Sequence, residues 1–179
     1  MFTGSYVHLA GGAVFTVLLI AGCLTDVRTR KIPNELVIAI LVTGWVFALS
    51  SSSVARGLGM SLGGTAIGFA IWIPFYLVGV IGAGDVKFFA AAGAWLGPSL
   101  TWRAALLAAV AGGILAVLYL LMERRLGGTL RRMALAAASG SLSRAPEQLI
   151  APGVRHRPLP YGVALAIGAL VTAWFPRLP

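Results

Sequence analysis

Two aspartates are the residues of this sequence best suited to chemistry. Asp26 and Asp85 are its only aspartates, and each lies at the edge of a long apolar run. Ionisable side chains at membrane depth are costly and usually functional. Two carboxyl groups held close together cannot both ionise, so they share a proton. The ionised member can take a proton from water that attacks a peptide carbonyl, while the protonated member donates to the carbonyl oxygen.

The division of labour between the two aspartates stays open, because a coupled pair releases its protons as a unit. A simpler role as helix-end charges also stays open. Asp85 near a helix N-terminus would be stabilised by the helix dipole. Asp26 could pair with Arg28 or Arg30 at the membrane interface.

Other catalytic chemistries have little support in the sequence. Cys23 is the only cysteine, so neither an internal disulfide nor a cysteine-based metal site can form within one chain. The two histidines, His8 and His156, are far apart, and no Ser/His/Asp set stands out. We therefore expect neither a metal nor another cofactor.

The segment around Asp85 contains two glycines, Gly82 and Gly84, directly after an apolar run. Glycine does not favour helix and lets the backbone break or approach a neighbour closely. Such a segment suits a site that admits an extended peptide beside the carboxylate. Lys87 either sets membrane topology or tunes Asp85, and we favour topology.

The segment after Asp26 is basic and continues into Ile32-Pro33-Asn34. Pro33 and Asn34 are favourable residues for starting a helix. Their plain role is to start the second apolar helix, and their functional role would be to hold the Asp26 loop rigid above a cleft.

The composition indicates that these residues lie in a membrane protein. The 179 residues are 59% hydrophobic and 11% charged, with a mean hydropathy of +0.91. Soluble domains carry about 25% charged residues. The excess of Lys and Arg falls in the gaps between apolar runs, which suits anionic lipid and excludes a nucleic-acid-binding face. We predict an all-α fold, with residues 1–179 forming one membrane-embedded domain.

Six membrane helices can be placed, since about 20 apolar residues cross a bilayer. Gly97-Pro98 is a turn signal that divides the fourth run into two helices, the first of which starts near Gly84. The apolar runs are 6–25, 34–50, 57–81, 88–122 and 160–175.

The positive charges orient these helices. Of the 14 Lys and Arg, all but Arg56, Arg103 and Arg177 fall on one side. The positive-inside rule makes that side cytoplasmic and places both termini outside. The cytoplasmic loop 123–157 is either an amphipathic helix on the anionic leaflet or a solvated loop.

Three motifs resemble those of the type IV prepilin peptidases, which are aspartic peptidases of the bacterial inner membrane. They are Asp26 with its basic stretch and Ile-Pro-Asn, Gly82-x-Gly84-Asp85, and the segment 159–163, Leu-Pro-Tyr-Gly-Val. Presenilin-like proteases share Gly-x-Gly-Asp, but the three motifs in this order and spacing are specific. The resemblance extends from residue 20 to about residue 170.

The resemblance implies that Asp26 and Asp85 are the catalytic pair. The positions it implies in support or substrate binding are Ile32, Pro33, Asn34, Gly82, Gly84, Lys87, Pro160, Tyr161 and Gly162. It implies prepilin or pseudopilin precursors as substrates, with a basic leader cut after a glycine on the cytoplasmic face. Membrane lipid is the other expected partner.

One departure from the family pattern concerns the cysteines. Long members carry paired Cys-x-x-Cys in a cytoplasmic region and N-methylate the new terminus. This sequence has only Cys23. It therefore resembles the short peptidases of tight-adherence (Flp) pilus systems, and we do not expect methyltransferase activity.

Two other functions remain as alternatives. A proton-coupled transporter would use Asp26 and Asp85 as a relay, although both lie at one membrane face rather than at the midplane. A non-enzymatic assembly factor of a pilus or secretion system would use them only as helix caps.

Overall fold

The fold is described from a computed structural model, which covers residues 6–50, 53–122 and 161–176. The described residues form five α-helices and no strand, which confirms the all-α prediction for this part of the chain. The predicted loop 123–157 and Pro160 lie outside the described residues. The helices are α1 (Tyr6–Thr29), α2 (Asn34–Leu49), α3 (Val54–Leu77), α4 (Ala83–Met122) and α5 (Tyr161–Trp174).

Local sequence signals account for several helix ends. Helix α2 begins at Asn34 after an extended Pro33, as predicted. Helix α3 ends at Leu77, earlier than the predicted Ile81. The reason is Gly79, whose φ of 75° places it in the left-handed region that ends helices. The Gly79 and Val80 N–H groups then bond back to carbonyls of the last turn.

Helix α4 changes direction at Gly97, where φ is 72° and ψ is 172°. Pro98 follows and has no N–H to continue the helical hydrogen bonds. The Thr101 hydroxyl donates to the Gly97 carbonyl at 2.7 Å, which satisfies an acceptor near the kink. The junction predicted near residue 98 therefore lies at Gly97, and the helix starts at Ala83, close to the predicted Gly84.

Small residues bring the helices into close contact. Helices α3 and α4 cross at small residues. A Cβ on Gly64 would collide with the Gly93 carbonyl oxygen, and a Cβ on Gly68 would lie 2.8 Å from the Ala90 Cα. Gly168 of α5 likewise packs on the α4 backbone, with a would-be Cβ 2.6 Å from the Ala108 nitrogen. Close backbone approach through small residues is typical of helix association in membranes.

Aromatic side chains complete the core between α1, α2 and α4. Trp95 is 3% exposed and stacks near Phe15 and Phe47, with ring centroids 5.3 and 5.1 Å apart. Its indole N–H donates to the Ile40 carbonyl at 2.9 Å. These contacts fix α4, which carries Asp85, against α1, which carries Asp26.

Three helical segments are long and apolar enough to cross a membrane: His8–Thr29, Val54–Leu77 and Ala83–Tyr119. Asn34–Leu49 and Tyr161–Trp174 are shorter apolar helices. Large apolar side chains also cover the outside of the bundle, as a lipid-facing surface requires.

We expect Gly64→Ala to lower the free energy of unfolding by about 1–3 kcal/mol, because the new methyl group must push α3 away from the α4 backbone. The matched control is Gly59→Ala on the same helix, where nothing lies within 4 Å of the added Cβ. Thermal unfolding of the purified protein in detergent measures both. Equal midpoints for the two variants would contradict the close crossing at Gly64.

Candidate active site

Asp26 lies near the end of α1 and is buried, with 6% of its surface exposed. Its Oδ2 accepts a hydrogen bond from the Gly162 N–H at 3.0 Å. Gly162 lies in the first turn of α5, where backbone N–H groups have no partner within the helix. The carboxylate of one apolar helix is therefore held by the positive end of another.

The close approach of Asp26 to α5 requires the glycine. A Cβ added to Gly162 would lie 2.8 Å from Asp26 Oδ2 and 3.2 Å from its Cγ. The Cys23 thiol, one turn earlier on α1, also faces this backbone, with Sγ 3.8 Å from the Gly162 carbonyl oxygen.

The turn after Asp26 is conformationally strained. Arg30 adopts a φ of 56°, and its N–H donates to the Asp26 carbonyl at 2.8 Å, which closes the end of α1. A residue other than glycine in this region costs of order 1–3 kcal/mol, and such residues concentrate at functional sites. The strained turn directs the chain from Asp26 towards Lys31 and Ile32.

Asp85 lies in the first turn of α4 and is half-buried. Its Oδ2 accepts from the Gly82 N–H at 3.2 Å, while the Gly82 carbonyl accepts from the Asp85 N–H at 3.1 Å. The bond from the Gly82 N–H to the Asp85 side chain is one of the two bonds of a capping box. Asp85 therefore caps the start of α4, which is one of the two roles considered for it. Its carboxylate also lines a cavity.

Both carboxylates line one polar cavity of about 270 Å³, which we call the carboxylate cavity. Asp26 and Asp85 are close enough for their charges to interact, and the Arg30 charge also acts on Asp26. One water occupies about 30 Å³ in the liquid, so the cavity has room for water and a short peptide segment. The lining residues are Asp26, Arg30, Lys31, Ile32, Asn34, Gly82, Gly84, Asp85 and Lys87.

Among the described residues, the recorded hydrogen bonds engage one oxygen of each carboxylate. Oδ2 of both aspartates accepts a backbone N–H, and within the described residues the structure records no hydrogen bond to either Oδ1. Two acid groups oriented in this way around a polar cavity can hold a water between them and exchange protons with it. No three His, Cys, Asp or Glu side chains gather into a possible metal site in the described ranges.

Most of the residues implied in support lie at this cavity. Ile32, Asn34, Gly82, Gly84 and Lys87 line it. A Cβ on Gly84 would lie 3.8 Å from the Ile32 Cβ, so the segments that follow Asp26 and precede Asp85 meet there at ordinary contact distance.

The remaining implied residues have other positions. Gly162 holds Asp26 through its N–H. Tyr161 lies close enough to Asp85 for an electrostatic interaction but lines a neighbouring apolar groove. Pro33 is exposed and precedes α2 without lining the cavity.

Sequence reasoning did not place Arg30 and Lys31 at the cavity: Lys31 was treated only as a topology charge, and Arg30 as a topology charge or an ion-pair partner of Asp26. Both line the carboxylate cavity, and Arg30 also forms the strained turn. The sequence did contain a signal for their position, because both lie between Asp26 and the Ile-Pro-Asn segment. So short a connection keeps them near the Asp26 carboxylate.

Comparison with known proteins gives two curated relatives. The chain is 29% identical over 116 residues to a prepilin leader peptidase/N-methyltransferase of Pectobacterium carotovorum subsp. carotovorum, which covers 62% of this chain and 42% of that protein. It is 32% identical over 103 residues to a protein of the same name from Klebsiella pneumoniae, covering 55% and 43%. The chain thus spans less than half the length of these curated relatives. No solved structure matches it.

A family match covers the part of the chain that carries both aspartates. Residues 13–117 match the type IV leader peptidase family, and the several apolar helices agree with a multi-pass protein of the inner membrane. Since this match includes more than half of the 179 residues, the protein belongs to the type IV leader peptidase family.

Proposed function

We propose that the protein is an aspartic endopeptidase that removes the basic leader of type IV or Flp-like prepilins on the cytoplasmic face of the inner membrane. The observation that carries the proposal is the carboxylate cavity, where Asp26 and Asp85 face a common polar space at the ends of apolar helices. The family match supports the same activity.

In the proposed reaction the two aspartates share one proton and hold the attacking water. The ionised carboxylate takes a proton from the water as its oxygen adds to the peptide carbonyl. The protonated carboxyl donates to the carbonyl oxygen and later helps the amine leave. Backbone N–H groups of Gly82 and Gly162 hold Oδ2 of each aspartate, so that Oδ1 can face the water.

The carboxylate pair is a better fit to hydrolysis than to helix capping alone. Capping explains the bond from Asp85 to Gly82, which is local in the chain. A cap on the first turn of α5 likewise accounts for the bond from Gly162 to Asp26, but it does not explain why the same cavity contains a second carboxylate. Burying a carboxyl group is costly, so a pair at one cavity favours a chemical role.

We further propose six membrane crossings with both termini outside. The kink at Gly97 would divide α4 into two crossings, which add to those of α1, α2, α3 and α5. The segment from Ala83 to Gly97 is short for a full crossing of about 20 residues. It starts at the carboxylate cavity, and helical backbone beside a polar cavity need not reach the aqueous surface.

Cysteine labelling tests this topology. In a Cys23→Ser background, we expect Gly140→Cys to react only after a thiol reagent enters the cytoplasm, and Ser52→Cys to react with an impermeant reagent from outside. The Cys23→Ser chain without a new cysteine is the control. The opposite pattern would place the carboxylate cavity on the outer face and contradict a cytoplasmic cut.

Co-expression with a candidate prepilin tests the activity. The precursor mass should fall by that of the leader, with the new N-terminus directly after a glycine. The mass of this new N-terminus also shows whether it is methylated. An uncut precursor accompanied by proton flux that depends on Asp26 and Asp85 would favour a transporter instead.

A further inference from the structure

The proposed reaction gives no role to Arg30, although this residue lines the carboxylate cavity together with both aspartates. Arg30 directly follows the last residue of α1, and its N–H bonds the Asp26 carbonyl one turn back. Its φ of 56° is uncommon for a residue with a side chain, and such a conformation persists only where the surrounding structure holds it. The strained turn therefore keeps a long cationic side chain close to Asp26.

Burial distinguishes Arg30 from the other cations nearby. Arg30 is half-buried, whereas Lys31 and Lys87, which also line the carboxylate cavity, are exposed. Arg28 is exposed as well and does not line the cavity. Water and salt screen exposed charges strongly and partly buried charges much less. Of the cations that line the cavity, Arg30 is therefore the one whose charge is felt most at the aspartates.

The helix ends around the cavity favour different charge states for the two aspartates. Asp85 lies in the first turn of α4, where the positive end of the helix dipole favours a carboxylate. Asp26 lies in the last turn of α1, where the negative end disfavours one. The Gly162 N–H at the start of α5 offsets this effect at Asp26. The helices alone would thus leave the negative charge on Asp85 and the shared proton on Asp26.

The Arg30 charge opposes that distribution. It acts on Asp26, whereas the charge that acts on Asp85 is that of Asp26 itself. A helix end is equivalent to about half an elementary charge, and a guanidinium carries a whole one. A half-buried guanidinium beside Asp26 therefore outweighs the helix end at Asp85, so that the carboxylate is favoured at Asp26.

The other ionisable groups near the pair do not reverse this balance. They are Cys23 on α1, Glu35 on α2, Lys87 on α4, Tyr161 on α5, and Lys31 in the connection after α1. The thiol interacts with Asp26 and the phenol with Asp85, and both are neutral at neutral pH. The remaining three are exposed, so solvent screens their charges.

We propose that Arg30 fixes the negative charge on Asp26 and the shared proton on Asp85, so that Asp26 takes the proton of the attacking water and Asp85 donates to the peptide carbonyl. As the carbon–nitrogen bond breaks, the proton held by Asp26 passes to the amine, and Asp85 regains one from a hydroxyl of the intermediate. Arg30 is a positioning residue, because it acts through Asp26. The assigned roles rest on the proposed peptidase function, whereas the position of the proton is a property of the free protein.

Selective labelling reads the position of the proton directly, because Asp26 and Asp85 are the only aspartates of the chain. Protein made with carboxyl-labelled aspartate gives one carboxyl-carbon NMR signal for each, and Asp26→Asn and Asp85→Asn identify the signals at high pH. As the pH falls, we expect the Asp85 signal to move first in the wild type. In Arg30→Gln the Asp26 signal should move first, with its midpoint about one pH unit above the wild-type value. An Asp26 signal that moves first in the wild type, or an unchanged order in Arg30→Gln, would overturn the proposal.

Three further variants separate the charge of Arg30 from its backbone. Arg30→Lys keeps a positive charge and should keep the wild-type order, although lysine and glutamine must adopt the same φ. Arg30→Gly removes the charge and the strain together, since glycine adopts this conformation freely. It should therefore invert the order even if Arg30→Gln folds poorly. Arg28→Gln removes a charge from an exposed position outside the cavity and should leave both midpoints unchanged.

The pH profile of precursor cleavage tests the consequence for the reaction. We expect both limbs of the kcat/KM profile to move about one pH unit higher in Arg30→Gln, because loss of a nearby positive charge makes each ionisation of the pair harder. Arg30→Lys should restore the wild-type profile. A lower kcat/KM at every pH without a shift would indicate a structural role and overturn the proposal.

The two measurements distinguish this inference from the peptidase function. If the wild type cleaves no precursor but the carboxyl signals change order as expected, Arg30 still fixes the proton and the peptidase function fails. If cleavage needs both aspartates but the signals keep their order in Arg30→Gln, the peptidase function stands and the role of Arg30 fails.

Discussion

Asp26→Asn and Asp85→Asn should each lower the rate of precursor cleavage by about 10²–10⁴-fold, the range expected for loss of a general acid or base. An amide can neither take the proton of the attacking water nor share one with the other acid group. Both variants should still fold, because an amide oxygen can accept the Gly162 or Gly82 N–H as the carboxylate does.

The measurement is the initial rate of precursor cleavage in detergent or proteoliposomes, with the mass of the product as readout. Glu35→Gln is the matched control, because Glu35 is an exposed acid in the first turn of α2, next to the cavity residue Asn34. It should cleave at the wild-type rate. The double Asn variant should be no slower than the slower single one, because the two groups act as a unit. Wild-type cleavage by either single variant would exclude the two-acid mechanism.

Helix boundaries that depend on local chemistry were predictable from the sequence. Pro33-Asn34 starts α2, and Gly97-Pro98 interrupts α4. Both effects are local, because proline restricts the backbone and glycine widens its conformational range in any surroundings. The end of α3 was predicted too late because an uncharged run continues to Ile81. Gly79 carried the signal for the earlier end, since a glycine can adopt the left-handed conformation that closes a helix.

Contacts between distant segments were not predictable from the residues alone. The motifs implied that Gly162 supports the site, but not that its N–H bonds Asp26. That bond depends on how α1 and α5 cross, which tertiary packing decides. The apolar groove lined by Tyr161 likewise arises from three helices packing together, and no single run of sequence reveals it.

Arg30 shows a different limit of sequence reasoning. Its positive charge explained membrane topology and offered an ion pair with Asp26, but nothing in the sequence indicated its backbone conformation or its place at the cavity. The structure adds a φ of 56° and a place at the carboxylate cavity. Residues other than glycine enter this conformation only rarely, and they are recognised from coordinates rather than from residue type.

We expect Gly162→Ala to lower kcat by about a hundredfold while the chain still folds and inserts. The new methyl group would lie 2.8 Å from Asp26 Oδ2 and 3.2 Å from its Cβ, so the carboxylate or α5 must move. A shift of about 1 Å at a catalytic group can cost about 10²-fold in rate. The variant keeps the residue 162 N–H and both aspartates, so it changes their geometry without removing a chemical group.

The pattern of kinetic effects separates misplacement of Asp26 from general loss of stability. Gly59→Ala adds the same methyl group to an α3 position where nothing lies within 4 Å, and it should retain wild-type kcat and unfolding temperature. Gly162→Ala should lose kcat with the unfolding temperature lowered by only a few degrees, as a change of about 1 kcal/mol would do. If Gly162→Ala cleaved at the wild-type rate, Asp26 would not need its contact with the first turn of α5. Catalysis would then tolerate a different placement of Asp26. The need to place this carboxylate would no longer explain its contact with Gly162.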